Sequence, residues 1–479
     1  MPSTVSSISS LLRAVCFLAL VVRSFGGTER PTDPAVAFLH VSIVPMDSNR
    51  VLKEQTLVVR GDRITAIGPT DTTEIPPDAV RIDGANKYII PGLADMHVHL
   101  QRNVGESSNS WMLSLFLANG VTTVRNMWGT PDHLLLRKEI ESGIRLGPRI
   151  FTSGPVIDGS PPMWKASVVA DTPGVARDLV IRQKQEGYDF IKVYSRLKAD
   201  VYDAIVATAK EQNIRVVGHT PLSVGLKGVL AAGQASVEHL DGYANEVETA
   251  DSPVYGKTDW YSQMIAYSFV DPAKLQRIVR ETREAGVWNC PTLVTMSKWV
   301  PPEEKRALLQ SPEVAYVPTA VQESWEDLYR VQLSGFSRLD FLKLRRSDEA
   351  RSQIVGALNG GGDRILAGTD TPNAFVVPGY SLHEELAKLV GAGLTPYQAL
   401  STATRNAADF LGKLDESGTV AIGKRADLVL IDGDPLVDIS NANNIAGVLV
   451  RGRWLPAAEL NKLLADLRAH AKDTAKTVQ

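Results

Sequence analysis

Cysteine is nearly missing from this chain: there are two among 479 residues, Cys16 and Cys290. That excludes a small disulfide scaffold, which needs several bridges to stand in for a core. No block of lysine and arginine stands out, and 51 basic against 54 acidic side chains leave a formal net charge of -3. Nothing therefore favours nucleic acid or an anionic membrane surface as a partner. Past the N-terminus no apolar run approaches the roughly 20 residues that a membrane helix requires. Histidine is scarce as well, with eight in the chain, so each one set in a structured context carries information. What is present is ordinary globular-enzyme composition, 44% hydrophobic and 22% charged, on a chain long enough to bury a large core.

The first 27 residues, MPSTVSSISSLLRAVCFLALVVRSFGG, hold one basic residue, Arg13, then the apolar run from Ala14 to Val22, then small and polar residues. This is the layout of a secretion signal and is too short to span a bilayer. Arg23 lies close to the run and no clean A-x-A site follows, so an uncleaved anchor and a chain that is not exported are the alternatives. Residues 1–27 are expected to be removed and the protein to be secreted or periplasmic, with no stable membrane span afterwards. Cys16 would leave with the signal. Cys290, inside VWNCPTL, reads as a small buried thiol.

From 28 to 92 the chain reads as short strands (AFLHVSIVPM, QTLVVRGDRITAIGP, AVRIDGANKYIIPG) punctuated by glycine and proline. The same texture returns over 416–456. The economical reading is one small β-sandwich domain assembled from both ends. Between them, over 93–415, short apolar segments alternate with amphipathic helical ones: GLADMHVHL, GVTTVRNM, PRIFTSG, DFIKVYS, IRVVGHT, ASVEHL, VWNCPTL and DRILAGTD. Eight such segments predict an α/β fold with a closed parallel (β/α)8 TIM barrel, long insertions following the sixth and seventh strands. Helices are expected near Asp200 to Gln212, Asp271 to Ala285 and Ser381 to Gly391. A C-terminal helix over 457–479, starting near Leu455, would pack Leu460, Leu463, Leu464 and Leu467 onto the body or onto a second copy.

His97 and His99 are separated by one residue, so on a strand both imidazoles face the same way. His219, His239 and Asp370 end three other predicted strands. Lys192 lies inside a strand of apolar residues, where an unpartnered ammonium is costly. Carbamylation by carbon dioxide would turn it into an anionic oxygen ligand; an ion pair with Asp370 or an escape to solvent are the alternatives. Barrel strand ends would gather all six into one site of nitrogen and oxygen donors, the types that zinc and similar divalent ions prefer.

At these motifs the chain resembles a known family. PGLADMHVHL, the DFIKVY lysine, GHT, VEHL and AGTD are similar, in the same order, to the metal motifs of the amidohydrolase superfamily. LTPYQALSTATRNAADFLG and GTVAIGKRADLVLIDGDP resemble its C-terminal signature. The likeness covers about residues 36 to 455 and points to the imidazolonepropionase-like group that includes Xaa-Pro dipeptidases. It implies that His97, His99 and Asp370 hold a buried ion, that His219 and His239 hold an outer one, and that carbamylated Lys192 bridges them. Two divalent ions, zinc first among them, would supply hydroxide at neutral pH. Asp370 would shuttle the proton to the leaving amine. Tyr194 or Tyr243 would steady charge on the carbonyl oxygen.

The departure from the family is SGPVIDGSPPMWK, where relatives often carry a glycine-rich phrase with a histidine. Pro161, Pro162, Met163 and Trp164 suggest an apolar or aromatic pocket wall instead. Arg125 could bind a substrate carboxylate or close a salt bridge within the barrel. His383 reads as a helix residue, and His133 and His40 gain nothing from their settings. The expected substrates are small amides: Xaa-Pro or other dipeptides, or N-acyl amino acids. Lactones, esters, cyclic amides and deamination share the same chemistry. A noncatalytic scaffold is the rival outside enzymology, though a scaffold has no need to keep six ligands. A homo-oligomer is left open.

Overall fold

The computed structural model describes residues 34–101, 110–362 and 364–476. The candidate signal over 1–27, with Cys16, lies outside them. The chain enters through β1 (Val36–Ile43), β2 (Leu52–Arg60), β3 (Arg63–Pro69), β4 (Val80–Asp83) and β5 (Lys87–Pro91). Alternation, reset by a bulge between Phe38 and Val41 where His40 has a positive φ, splits the β1 region between two cores. Val36, Phe38, Val41 and Ile43 join a cluster with Leu57, Val59, Ile64 and Ile89, while Ala35 and Ala37 pack with Val58 on the other face.

The middle of the chain supplies β6 (Leu93–Val98), β7 (Val121–Asn126), β8 (Arg149–Thr152), β9 (Ile157–Asp158), β10 (Val168–Val169), β11 (Phe190–Val193), β12 (Arg215–Gly218), β13 (Ser236–Glu238), β14 (Trp288–Cys290) and β15 (Arg364–Ile365). Strands β6, β7 and β8 pair in parallel. So do β11 to β15 in sequence, with β9 and β10 extending past β11. Two seams connect these sheets. Ser153 bridges Phe190 in the parallel sense, and Gly154 N–H donates to the Phe190 carbonyl. On the far side Met96 N–H donates to Ala367 O, Asp370 N–H to His97 O, and Val98 bridges Thr371. The pairing therefore leads from β6 through β15 and back to β6.

β16 (Leu428–Asp432), β17 (Ile445–Val450) and β18 (Arg453–Pro456) return to the first sheet. Its order is β18-β17-β16-β5-β1-β2-β3, with β4 on β1. β16 lies antiparallel to β5, Leu428 opposite Pro91 and Asp432 opposite Lys87, so the two chain ends meet in one hydrogen-bonded ladder. Leu455 belongs to β18, which delays the last helix to Ala457–Lys476. Leu460 is buried there, and Leu463, Leu464 and Leu467 pack on the main core. They take the first of the two roles open to them.

The connecting helices carry their own stop and start signals. Pro272–Ala285 begins at Asp271, whose carboxylate accepts from the amides of Ala273 and Lys274, a cap that contributes about 1 kcal/mol. Leu275, Ile278, Val279 and Thr282 form its buried stripe, and Gly286, at φ 66°, ends it in the left-handed region that suits glycine. No helix among the described residues is long and apolar enough to cross a membrane.

His383 sits in the helix Tyr380–Gly391, its Nε2–H donating to the Asn119 carbonyl at 3.0 Å while its buried Nδ1 has no partner. Burial pushes this imidazole down from 6.5 to about 4. Because the folded value is below the unfolded one, its contribution is present above about pH 6.5 and is lost as pH falls toward 4. His383→Gln keeps a donor for Asn119 but cannot titrate, and its acid-unfolding midpoint, followed by circular dichroism, is expected to move to lower pH. An unmoved midpoint would take His383 out of acid unfolding.

A candidate metal centre at the strand ends

β6 is buried along its whole length, so placing His97 in it is costly unless the ring finds partners, and His99 follows directly after the strand's last residue, Val98. The i and i+2 spacing keeps the two rings together where the strand ends. Their ring centroids stand 5.2 Å apart; His97 is 4.6 Å from His239, and His239 is 5.0 Å from His219. Four histidines from three strand ends thus form a row. Asp370 faces it, with Oδ1 at 2.8 Å from His99 Nε2 and 3.4 Å from His97 Nε2, and Oδ2 at 4.0 Å from His239 Nδ1. His97, His239 and Asp370 have ligand atoms all within 4.8 Å of one another. The backbone is bent to achieve this: His239, Leu240, Thr292 and Asp370 all have positive φ, a conformation that non-glycine residues adopt mainly where the surroundings enforce it.

Lys192 reaches the same place from β11. It is 1% exposed and its Nζ has no hydrogen-bond partner. Burial pulls its pKa down to about 8, against the opposing pull of Glu238 and Asp370. Burial also drives His97 far below its ordinary value and His239 down to about 3, so both are neutral imidazoles, the form that binds metal. For Asp370, burial would raise the pKa, but His239, His99 and Lys192 outweigh it and hold the carboxyl below its usual range. His97 Nε2, His99 Nδ1 and Lys192 Nζ are buried polar atoms left without hydrogen bonds. Orphaned nitrogens beside a carboxylate are a donor set that fits a divalent cation.

The outer partners were not among the expected residues. His97 Nδ1 donates to Glu238 Oε2 at 2.8 Å, His219 Nδ1 pairs with Asp241 Oδ2 at 3.3 Å, and His239 Nδ1 shares a 2.7 Å bond with the Thr292 hydroxyl. Engaging Nδ1 in each case leaves Nε2 for another ligand. Glu238 had a sequence signal, a charged residue in a short buried strand, the same feature that singles out Lys192. Asp241 and Thr292 had none, since loop carboxylates and hydroxyls are common. Arg125 closes the salt bridge that was one of its two readings: its Nη2 donates to both Glu238 oxygens at 3.0 and 2.9 Å, with both side chains fully buried.

The two tyrosines part ways. The Tyr194 ring lies 3.9 Å from the His219 ring, and its oxygen accepts the Trp164 indole N–H at 2.8 Å. Tyr243 is fully buried, and its hydroxyl bonds Thr282 in the helix Pro272–Ala285 and Asn289 in β14. Trp164 is held over the site because Asp158 accepts from the amides of Met163 and Arg196 and the Arg196 guanidinium donates to Pro161 O. Met163 and Trp164 are both partly exposed, and Trp128 stands edge-on to His99 at 6.3 Å. His133 helps cap the helix Pro131–Glu141 and bonds Gln101 O, and His40 is exposed beside Glu54.

Comparison with known proteins agrees with this architecture. A bottromycin amidohydrolase superposes with a TM-score of 0.74 at 28% identity, covering 92% of this chain and 91% of that one. A putative prolidase from Bifidobacterium longum superposes at 0.65 and 24%, covering 91% and 100%, and a Xaa-Pro dipeptidase with bound methionine at 0.63 and 20%, covering 88% and 100%. These last two share the fold. Among curated proteins, adenine deaminase 2 of Agrobacterium fabrum is 25% identical over 394 residues, 81% of this chain and 51% of that protein. An adenine deaminase of Rubrobacter xylanophilus is 33% identical over 82 residues, 17% of this chain and 14% of that protein. The chain thus spans about half or less of the length of these curated relatives. The pattern of one family matches residues 88–455, from the strand before His97 to the last strand of the end-built sheet, and by that match the chain belongs to the amidohydrolase family.

Proposed function

We propose that this protein is a metal-dependent hydrolase of amide bonds in small substrates, with Xaa-Pro or other dipeptides and N-acyl amino acids as the leading class. The reading takes the circuit of parallel pairings from β6 back to β6 as a (β/α)8 barrel, and the sheet shared by both ends as a small β-sandwich folded over the cluster around Phe38 and Leu430. One observation carries it: side chains from five separated stretches converge, with His97 and His99 against Asp370 and with His97 Nε2, His99 Nδ1 and Lys192 Nζ buried without hydrogen bonds. His97, His99 and Asp370 would hold one ion, His219 and His239 a second, and carbamylated Lys192 both. Zinc suits these donors, and ions there supply Lewis acidity that lowers the pKa of water and polarises a carbonyl.

The chain's own groups do the rest. Asp370, ionised and central, accepts a proton from the attacking water as the carbon–oxygen bond forms. It then delivers that proton to the amine as the carbon–nitrogen bond breaks. Tyr194 is better placed than Tyr243 to face the carbonyl oxygen. Indole N–H is a donor only, so the phenol that accepts from Trp164 keeps its own proton free to donate. Trp164, Met163 and Trp128 favour an apolar group beside the scissile bond. Residues 1–27 place the reaction outside the cytoplasm on this reading, a placement checked by the N-terminus of protein recovered from the exported fraction.

The test is hydrolysis of a mixed panel of dipeptides, N-acyl amino acids, lactones and cyclic amides by zinc-loaded protein, with products identified by mass spectrometry. Turnover concentrated on X-Pro or other amides is the expected result. Turnover confined to lactones or cyclic amides would move the substrate class. Deamination of an aminopurine would favour the second reading, to which the likeness to adenine deaminases gives some weight.

A further inference from the structure

His97 stands between two sets of donors. On its Nε2 side lie Asp370 and His239; on its Nδ1 side lie Glu238 and Cys290, and His97, Glu238 and Cys290 also have ligand atoms within 4.8 Å of one another, all buried. The sulfur comes this close because position 368 has no side chain. A β-carbon on Gly368 would stand 2.4 Å from Cys290 Sγ and 2.9 Å from His97 Cβ. Imidazole, carboxylate and thiol in one buried triad are a set that a thiophilic divalent ion would take. Arg125 lies against it. Its guanidinium donates to both Glu238 oxygens and, through Nε, to the Met96 carbonyl, and Ser236 donates to Glu238 Oε1. Every direction around that carboxylate not used by His97 is therefore filled, and its charge is already balanced.

We propose that Arg125 decides which nitrogen of His97 takes the metal: by filling and neutralising Glu238 it commits Nδ1–H to that carboxylate, leaves Nε2 for the ion, and keeps the His97–Glu238–Cys290 set closed. Arg125 is a positioning residue on this account, acting through Glu238 and His97. Charge supplies the logic. Removing the guanidinium leaves a buried carboxylate uncompensated, and a divalent ion entering the triad, with the Cys290 proton released to solvent as the sulfur–metal bond forms, restores the balance.

The inference rests on the metal-site reading and is tested apart from activity. Wild type, Arg125→Met, Arg125→Lys and the double variant Arg125→Met/Cys290→Ser are each loaded with Co2+. Near-ultraviolet thiolate-to-cobalt charge transfer is then recorded, and Zn2+ affinity is measured by chelator competition. Wild type is expected to bind without the thiolate band, Arg125→Met to gain it, and the double variant to lose it. Arg125→Lys keeps the charge but cannot fork both oxygens. It is expected to show no band and to bind zinc about 10–100-fold more weakly, as changes to a ligand's outer partner do. It also guards against an Arg125→Met chain that does not fold. A thiolate band in wild type, no band in a folded Arg125→Met, or unchanged zinc affinity in Arg125→Lys would overturn the inference. Failure of wild type to bind any metal would instead overturn the metal-site reading beneath it.

Discussion

Asp370→Asn is expected to lower kcat on the best substrate of the panel by about 10²–10⁴-fold while changing KM little, the range that a positioned acid–base group contributes. Asp370 Oδ1 lies 2.8 Å from His99 Nε2 and 3.4 Å from His97 Nε2, and Asn373 donates to Oδ2 at 2.6 Å, so its orientation is set before substrate arrives. An asparagine keeps the shape and one ligand-capable oxygen but cannot carry a proton between water and amine. Metal content by atomic emission should therefore fall much less than kcat. A kcat within tenfold of wild type would remove Asp370 from proton transfer. Loss of metal in step with activity would leave it a ligand alone.

The second large effect concerns Lys192. Burial holds its pKa at about 8, so near neutrality a fraction is free amine, and only the free amine attacks carbon dioxide, forming an N–C bond and releasing a proton. Lys192→Ala is expected to cost more than about 100-fold in turnover, beyond what outer-partner changes cause, with a fall in bound metal. Short carboxylates such as propionate should restore part of both by filling the space left by the side chain. Native mass spectrometry of wild type should show the added mass of one carbon dioxide, lost on acidification. If Lys192→Ala keeps its metal and its rate, the lysine is a buried structural group and not a ligand.

Much of the fold was legible because its signals are local. Each of the eight short apolar segments between residues 92 and 370 contains a parallel strand, and the helices at Ala199–Glu211, Pro272–Ala285 and Tyr380–Gly391 fall within a residue of where apolar spacing places them. β9 and β10 escaped notice, since two residues show no periodicity. The candidate ligands were legible for another reason: histidines are few, and a lysine inside an apolar strand is conspicuous.

By itself, then, the sequence determined which segments are strands and helices, and which rare polar residues stand at strand ends, because both are written in spacing along a few consecutive residues. Only the tertiary structure decided the partners. His97 and Glu238 are 141 residues apart, and Arg125 lies 113 residues before Glu238. Neither pairing exists until successive parallel strands lie side by side in the fold. The same holds for Tyr194 and Tyr243, alike as tyrosines near candidate ligands. One emerges against His219 with an indole bound to its oxygen, while the other is consumed between a helix and β14. Which way a side chain faces beyond a strand end depends on the turn that follows and on what packs there, and no pattern of neighbours in the chain encodes that.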